Sequence, residues 1–282
     1  MKYNLKNAIN ILVTLDSNYV APLRVMLSSA EHSNPGTRFN VFVAHSSLTE
    51  KDFSKIRSAV SPNFTIIPIR VDGGLLDKAP VLKRISKETY YRLIAFEYLP
   101  EELDRVLYID PDTVILNRLD NFYNIDFRSN LLAGATHIGG IIRKYNIRRL
   151  GMPQNSEYVN AGILMMNLKG LRESVTGDEI FSFVQSRGKK LYLADQDVIN
   201  AMFADRTLVI SPCIINLDEK TYHANRDKID LNWIKKNTLI VHYNGKYKPW
   251  KPDYKGYLQS FYVKAVSNMD NVRLLPGTPV CA

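Results

Sequence analysis

Between Ala8 and Asp110 the chain alternates short apolar runs with helix-type segments, and this alternation limits the possible folds more than any other feature. Ala8–Leu15, Arg38–Ala44 and Phe64–Arg70 read as strands. Between them, Tyr19–His32 reads as a helix ended by Asn34-Pro35-Gly36. Thr49–Ala59 reads as a second, with Thr49 as N-cap and Asp52 in its first turn. After a Gly73-Gly74 loop, Lys87–Tyr98 reads as a third helix, opened by Ser86 and stopped by Pro100, and another strand runs into Asp110. Such an order predicts an α/β fold with a mainly parallel central sheet and helices on both faces.

The second half is less regular. Leu131–Thr136, Gly162–Met166, Leu208–Ile210 and Leu239–Tyr243 read as strands, and Asp178–Arg187, Gln196–Phe203 and Tyr254–Val266 as helices. Ser211–Asn232 is largely polar, shows neither period and reads as loop. No internal repeat, low-complexity tract or Ser/Gly linker interrupts the chain, so its 282 residues are expected to form one domain.

Composition narrows the function classes. Cys213 and Cys281 lie far apart, which argues against a disulfide framework or a zinc site and for a reducing compartment. The apolar run Ile9–Leu15 is broken by Asn10 and closed by Asp16, too short and polar for a signal segment, and no stretch is long enough to span a bilayer. A cytoplasmic protein is expected. The net charge of +9 is scattered over groups such as Arg143-Lys144, Arg148-Arg149, Lys189-Lys190, Lys235-Lys236 and Lys246 to Lys255. No nucleic-acid-binding motif accompanies them, so nucleic acid is not an expected partner. A solvated basic surface or a peripheral contact with anionic lipid at the inner face of a membrane accounts for them.

The strand ending at Ile109 delivers Asp110-Pro111-Asp112. In extended backbone the two carboxylates point to one side, and Pro111 holds its own φ while pushing Asp110 toward the extended region. Two hard oxygen ligands at a strand's carboxyl end suit Mg²⁺ or Mn²⁺ bridging to a diphosphate. The spacing alone is weak, since chance supplies roughly three acidic-x-acidic matches in such a chain, and Asp195-Gln196-Asp197 is another.

Other segments carry polar groups of matching chemistry. After the first strand, Thr14-Leu15-Asp16-Ser17-Asn18-Tyr19 stands where a dinucleotide fold would place glycines. Asp16, Asn18 and Tyr19 can accept a uracil N–H, bond a ribose hydroxyl and stack on a base, or Asp16 and Asn18 can simply cap a helix. Arg92 can neutralise phosphate, fork onto sugar hydroxyls and a carboxylate, or lie as a surface arginine over apolar neighbours. Asn160-Ala161-Gly162 offers an amide and a close backbone approach, or a plain turn. Asp195 can present to a substrate or act as an N-cap. His242 ends a late strand before Asn244-Gly245-Lys246-Tyr247-Lys248-Pro249-Trp250; its imidazole can complete a Mn²⁺ shell or be structural, and Lys248 can hold a phosphate.

Taken in order, Asp16/Asn18/Tyr19, Thr89–Leu93, Tyr108–Asp112, Asn160-Ala161-Gly162, Asp195-Gln196-Asp197 and His242…Gly245…Lys248-Pro249-Trp250 resemble glycosyltransferase family 8, which includes glycogenin and bacterial lipopolysaccharide galactosyl- and glucosyltransferases. The similarity runs from about Thr14 to Trp250. It implies a GT-A type, Rossmann-like nucleotide-binding fold, with 1–116 as the nucleotide half and 117–282 as the sugar and acceptor half. It implies retaining transfer of glucose or galactose from a UDP-sugar to a glycan, glycolipid or glycoprotein, with Mn²⁺ or Mg²⁺. Carried over, Asp110, Asp112 and His242 would ligate the metal. Thr14, Asp16, Asn18, Tyr19, Gly245 and Lys248 would bind UDP, and Arg92, Asn160, Asp195 and Gln196 would surround the sugar, the last two being the catalytic pair. One departure stands out. Family members often carry an Asp shortly after the Gly-Ala that here precedes Thr136-His137-Ile138, and that acid helps define the sugar and acceptor side.

Two rivals remain at this level. Asp110-Pro111-Asp112-Thr113-Val114 also fits the haloacid-dehalogenase signature of Mg²⁺-dependent phosphatases, although there it follows the first core strand. A non-catalytic nucleotide-sugar-binding protein is the other.

Overall fold

β1 (Ile9–Thr14), β2 (Phe39–His45), β3 (Phe64–Arg70) and β4 (Arg105–Ile109) form the parallel half of a seven-stranded sheet. β5 (Thr113–Ile115) lies outside it. β6 (Leu132–Ala135), β7 (Ile163–Asn167) and β8 (Thr207–Ile210) complete the order β3-β2-β1-β4-β7-β6-β8, and β9 (Ile240–His242) pairs with β5. This computed structural model describes residues 4–71, 79–80 and 87–272. The Ser86 cap, the Gly73-Gly74 loop and Cys281 lie outside them.

β1, β2 and β4 are apolar runs buried on both faces, so both sets of alternating side chains need apolar company, whereas the edge strand β3 buries only Phe64 and Ile67. Leu12, Tyr108, Leu132 and Leu164 face one core with Phe96, Ile180 and Val198. Ile11, Val13, Leu107, Ile109 and Ile163 face the other with Leu23, Leu27 and Ile56. The expected mainly parallel sheet is thus present, with one exception: β7 runs antiparallel between β4 and β6.

Topology places the site. From β1 the chain winds outward through β2 and β3, then crosses back to β4 on β1's other side. The carboxyl ends of β1 and β4 therefore flank a switch point, where open α/β sheets bind ligands. Asp16 follows β1 and Asp110 follows β4. Because β7 is antiparallel, the residues preceding it arrive at the same end: Ile109 pairs with Ile163, and Asp110 N–H donates to Gly162 O at 2.7 Å. The antiparallel β5–β9 pair sets Thr113 opposite His242, beside Asp112.

Several expectations need correction. Ser211–Asn232 is not loop but contains helices Pro212–Ile215 and Glu219–Asn225 and the start of Leu231–Asn237. Each is at most two turns long, too short for an apolar period to develop. The last two start from Asp218 and Asp230 caps, which accept from Thr221 and Trp233 N–H. The Lys87–Tyr98 helix is interrupted at Ile94 into two pieces. The closing helix is Gln259–Val272, because Tyr254 is tied by its hydroxyl to Glu219 Oε1 at 2.6 Å instead. Helix Gly140–Leu150 lacks a marked apolar stripe and was not anticipated. Thr49, by contrast, caps its helix as expected, in a reciprocal pair with Asp52.

Candidate active site

A cleft of about 280 Å³ opens at the switch point, lined by Arg92, Asp110, Asp112, Asn160, Gly162, Asp195, Gln196 and His242 among others. Residues from five separate segments meet there.

Asp110, Asp112 and His242 offer ligand atoms that all lie within 4.8 Å of one another. His242 Nε2 is 3.4 Å from Asp112 Oδ1 and 3.7 Å from Asp110 Oδ2. Hydrogen positions here are fixed by backbone donors. Gly162 N–H donates to Asn160 Oδ1 at 3.0 Å, so that atom is an acceptor, and Asn216 Nδ2 donates to it as well at 3.1 Å. The other end of the Asn216 amide is therefore oxygen, and it meets His242 Nδ1 at 3.0 Å. Nδ1 must carry a proton, so Nε2 is the nitrogen that faces the carboxylates: protonated it donates to Asp112, and without its proton it is a ligand atom. Two carboxylates and one imidazole suit Mn²⁺ or Mg²⁺. Space is reserved too: a Cβ on Gly162 would lie 2.2 Å from His242 Cε1 and 2.6 Å from Asp110 Oδ2. These residues fit a divalent cation.

Charge in the triad is strongly coupled. Burial opposes ionisation of Asp112, but the His242 hydrogen bond and the His242 and Lys248 charges outweigh it and hold the carboxyl down at about 2. Lys248 Nζ lies 2.5 Å from Asp112 Oδ2 and 2.8 Å from Tyr243 O. The cation expected at a diphosphate thus stands at the metal carboxylate. Burial would lower the pKa of His242, yet Asp112 and Asp110 raise it.

Arg92 joins the metal side to the sugar side. Its Nη2 lies 3.1 Å from Asp110 Oδ1 and its Nε 2.8 Å from Asp195 Oδ2, the latter an ion pair without hydrogen-bond alignment. Nη1 donates to Ala161 O at 3.1 Å, and the guanidinium lies 4.3 Å over the Tyr108 ring. It is no surface arginine. Burial works against its charge, and Asp110 and Asp195 more than compensate. Asp195 is not the N-cap of helix Ala194–Phe203; that position is Leu193, and the carboxylate is drawn to Arg92. Burial, with Asp110 nearby, pushes its pKa up against Arg92.

Gln196 Oε1 accepts from Asn160 Nδ2 at 3.0 Å and Ala161 N–H at 3.2 Å. Since the Ala161 amide can only donate, the oxygen of Gln196 points into the protein. Asp16 caps the short turn Ser17–Tyr19, with its oxygens accepting Asn18 N–H at 2.9 Å and Asn18 Nδ2 at 3.2 Å. Thr14 Oγ1 bonds the Tyr108 hydroxyl at 3.0 Å, and that hydroxyl donates to Asp110 Oδ1 at 2.6 Å. Tyr19 stands edge-on to Trp250, and its pKa is raised by burial, then by Asp112, Asp110 and Asp16. Gly245 is exposed near Tyr247.

Sequence reading missed Asn216, His137, Asp218 and Asn244. His137 Nε2 bonds Asn216 O at 2.6 Å, and Asp218 Oδ2 accepts from Asn244 Nδ2 at 3.0 Å. An amide interrupting the apolar run Ile214-Ile215-Asn216-Leu217 was the available signal.

The sequence profile described as glycosyl transferase family 8 matches residues 10–253. A lipopolysaccharide 1,2-glucosyltransferase of Escherichia coli is 24% identical over 98% of this chain and 83% of its own length. A lipopolysaccharide 1,3-galactosyltransferase of Salmonella typhimurium is 23% identical over 92% of this chain and 78% of its own. Among solved structures, the galactosyltransferase LgtC, in complex with donor and acceptor sugar analogs, superposes with a TM-score of 0.76 at 23% identity, covering 96% of this chain and 98% of that one. This is the GT-A fold that the resemblance implied.

Proposed function

The chain belongs to glycosyl transferase family 8, and on that premise we propose that it transfers glucose or galactose, with retention, from a UDP-sugar to a glycan acceptor in a Mn²⁺- or Mg²⁺-dependent reaction. The observation that carries this reading is the convergence of Asp110, Asp112 and His242 with the Arg92–Asp195 pair and the Asn160–Gln196 amides in one cleft. The phosphatase rival falls with the family, and with a motif that ends the fourth strand rather than the first. As an enzyme family member, the chain also leaves the non-catalytic reading behind.

Asp110, Asp112 and His242 would hold the cation, which when bound supplies charge neutralisation for the departing diphosphate. Asp16, Asn18 and Tyr19 would hold uridine at the open edge, with Thr14 behind them and Gly245 and Lys248 at the diphosphate. Lys248 would release Asp112 to the metal and turn to phosphate. Arg92, Asn160, Asp195 and Gln196 would surround the sugar. Loss of UDP gives the anomeric carbon oxocarbenium character. Because the oxygen of Gln196 is turned to Asn160 and Ala161, it makes a poor nucleophile. We therefore favour attack by the acceptor on the face that UDP leaves, with Asp195 and Gln196 stabilising charge.

The names of the relatives support a lipopolysaccharide or other cell-surface glycan as acceptor. We further assign residues 1–116 to the nucleotide and 117–282 to sugar and acceptor. No helix among the described residues is long and apolar enough to cross a membrane; the scattered basic groups support peripheral contact with anionic lipid at the cytoplasmic face. The test is thermal shift with UDP, with and without Mn²⁺, followed by UDP release from UDP-glucose and UDP-galactose. Metal-dependent binding that disappears in Asp112→Asn is expected. UDP binding indifferent to metal and to that substitution would overturn the reading.

A further inference from the structure

Tyr192-Leu193-Ala194 carries the chain into the helix that presents Asp195 and Gln196 to the cleft. Its backbone is not relaxed. Ala194 sits at φ 45°, in the left-handed region that a residue with a Cβ rarely enters. Leu193 supplies no capping side chain.

Asp197 holds this turn. It is fully buried, one residue past Gln196. Its Oδ2 accepts the backbone N–H groups of Tyr192 at 2.6 Å and Leu193 at 3.0 Å, together with Arg149 Nη1 at 2.7 Å. Its Oδ1 accepts Arg149 Nη2 at 2.8 Å and the Tyr158 hydroxyl at 2.6 Å. A carboxylate offers about four lone-pair sites, so these donors saturate it, and nothing remains for a sugar. Arg149 reinforces the turn from the same side. Its guanidinium lies 4.5 Å over the Tyr192 ring and also donates to Lys190 O.

We propose that Asp197 and Arg149 are positioning residues for the transfer reaction: together they hold the Tyr192–Ala194 turn, and through it Asp195 and Gln196, without touching donor or acceptor. The proposal rests on the reading that Asp195 and Gln196 face the donor sugar. An asparagine at 197 brings one acceptor and two donors to a place that needs acceptors alone. A lysine at 149 keeps the charge but loses the fork. In either variant the turn relaxes and the sugar-facing pair shifts. The groups assigned to uridine and metal stand at the ends of β1, β4 and β9, on other elements than this turn, and Arg92 links Asp110 to Asp195 across the cleft; handling of the sugar is therefore expected to suffer more than binding of UDP.

The experiment compares Asp197→Asn and Arg149→Lys with the wild type, by backbone hydrogen exchange and by UDP-sugar hydrolysis. Faster exchange is expected across Leu191–Phe203, with unchanged protection across Arg105–Ile115. The kcat is expected to fall roughly a hundredfold, the cost of a misplacement of about 1 Å, with a raised KM, while the Kd for UDP with Mn²⁺ stays within about twofold. Arg149→Lys decides the matter if Asp197→Asn does not fold. Wild-type exchange at 191–203 in Arg149→Lys overturns the proposal, as does loss of UDP affinity in step with kcat. Near-normal turnover in Arg149→Lys beside a dead Asp197→Asn also overturns it, since Asp197 would then act directly. A wild type that neither binds UDP with metal nor hydrolyses UDP-sugars overturns the donor reading instead, and the exchange comparison still decides whether the pair anchors the turn.

Discussion

Asn216 turns its side-chain oxygen to His242 Nδ1 at 3.0 Å, and a chain of amides beginning at the Gly162 N–H leaves it no other orientation. A fully buried amide in a segment with no apolar period thereby selects which imidazole nitrogen meets the carboxylates. Asn216→Leu keeps the volume and removes the acceptor. Losing such an outer partner of a metal-binding histidine costs about 10–100-fold in metal affinity. A Mn²⁺ titration followed by electron paramagnetic resonance checks this, and wild-type affinity in the variant would sink the assignment.

Gly162 is required by contact, not by backbone conformation. A methyl group there would meet His242 Cε1 at 2.2 Å and Asp110 Oδ2 at 2.6 Å, both of which would have to move apart. Gly162→Ala is expected to weaken Mn²⁺ binding roughly tenfold or more, and to abolish the metal-dependent part of UDP binding. Metal-independent UDP affinity measured by calorimetry should change little, because Asp16 and Tyr19 sit on another element. Parallel loss of both would point to a wider collapse and count against a local role.

Much of the fold was legible because the parallel half is sandwiched between helices. β1 and β2 are buried along nearly their whole length, and the bounds of β1, β2 and β3 agree with expectation to within a residue or two. Asp110 and Asp112 were legible for the same reason, as the end of a buried strand. What escaped depends on partners distant in sequence. Asp195 has the residue type and place of a helix cap, but a buried Arg92 draws its carboxylate away. Asp197, the second acid of the Asp195-Gln196-Asp197 triplet, is instead bound by Arg149 on an unanticipated helix. Asn216 lies between helices too short to show a period.

Arg92 offers a test of how the two halves of the site depend on each other. Its side chain is mostly buried against Asp110 and Asp195, which are themselves largely shielded. Arg92→Met leaves both carboxylates facing each other without a cation, and should cost on the order of 3 kcal/mol in urea unfolding. Neutralising one of them in Arg92→Met/Asp195→Asn should restore roughly half of that loss, because much of it comes from the unpaired charge. Activity should stay lost in both. No recovery of stability in the double variant would show that the arginine acts by packing rather than by charge.

The pair His137–Asp218, 3.3 Å apart behind the metal ligands, predicts how stability depends on pH. Burial holds the His137 pKa below its ordinary value despite the pull of Asp218. Burial works the other way on Asp218, but His137, Thr221 and Asn244 hold its carboxyl below the usual range. For His137, the unfolded chain takes up a proton near pH ~6.5 while the folded chain does not. Stability is therefore full above that pH and lost as pH falls toward the folded value. For Asp218, stability is full above about pH 4 and lost lower, as pH falls through its folded pKa. His45, lowered by burial and Arg70, adds to the first window, and His242, raised by Asp112, opposes it. Both are present in the wild type and in His137→Gln, so the difference reports His137 together with its interactions with Asp218 and His242. Melting temperatures of metal-free protein from pH 7.5 to 5 should fall more steeply in the wild type than in His137→Gln, and equal slopes would mean that His137 is not held neutral in the folded chain.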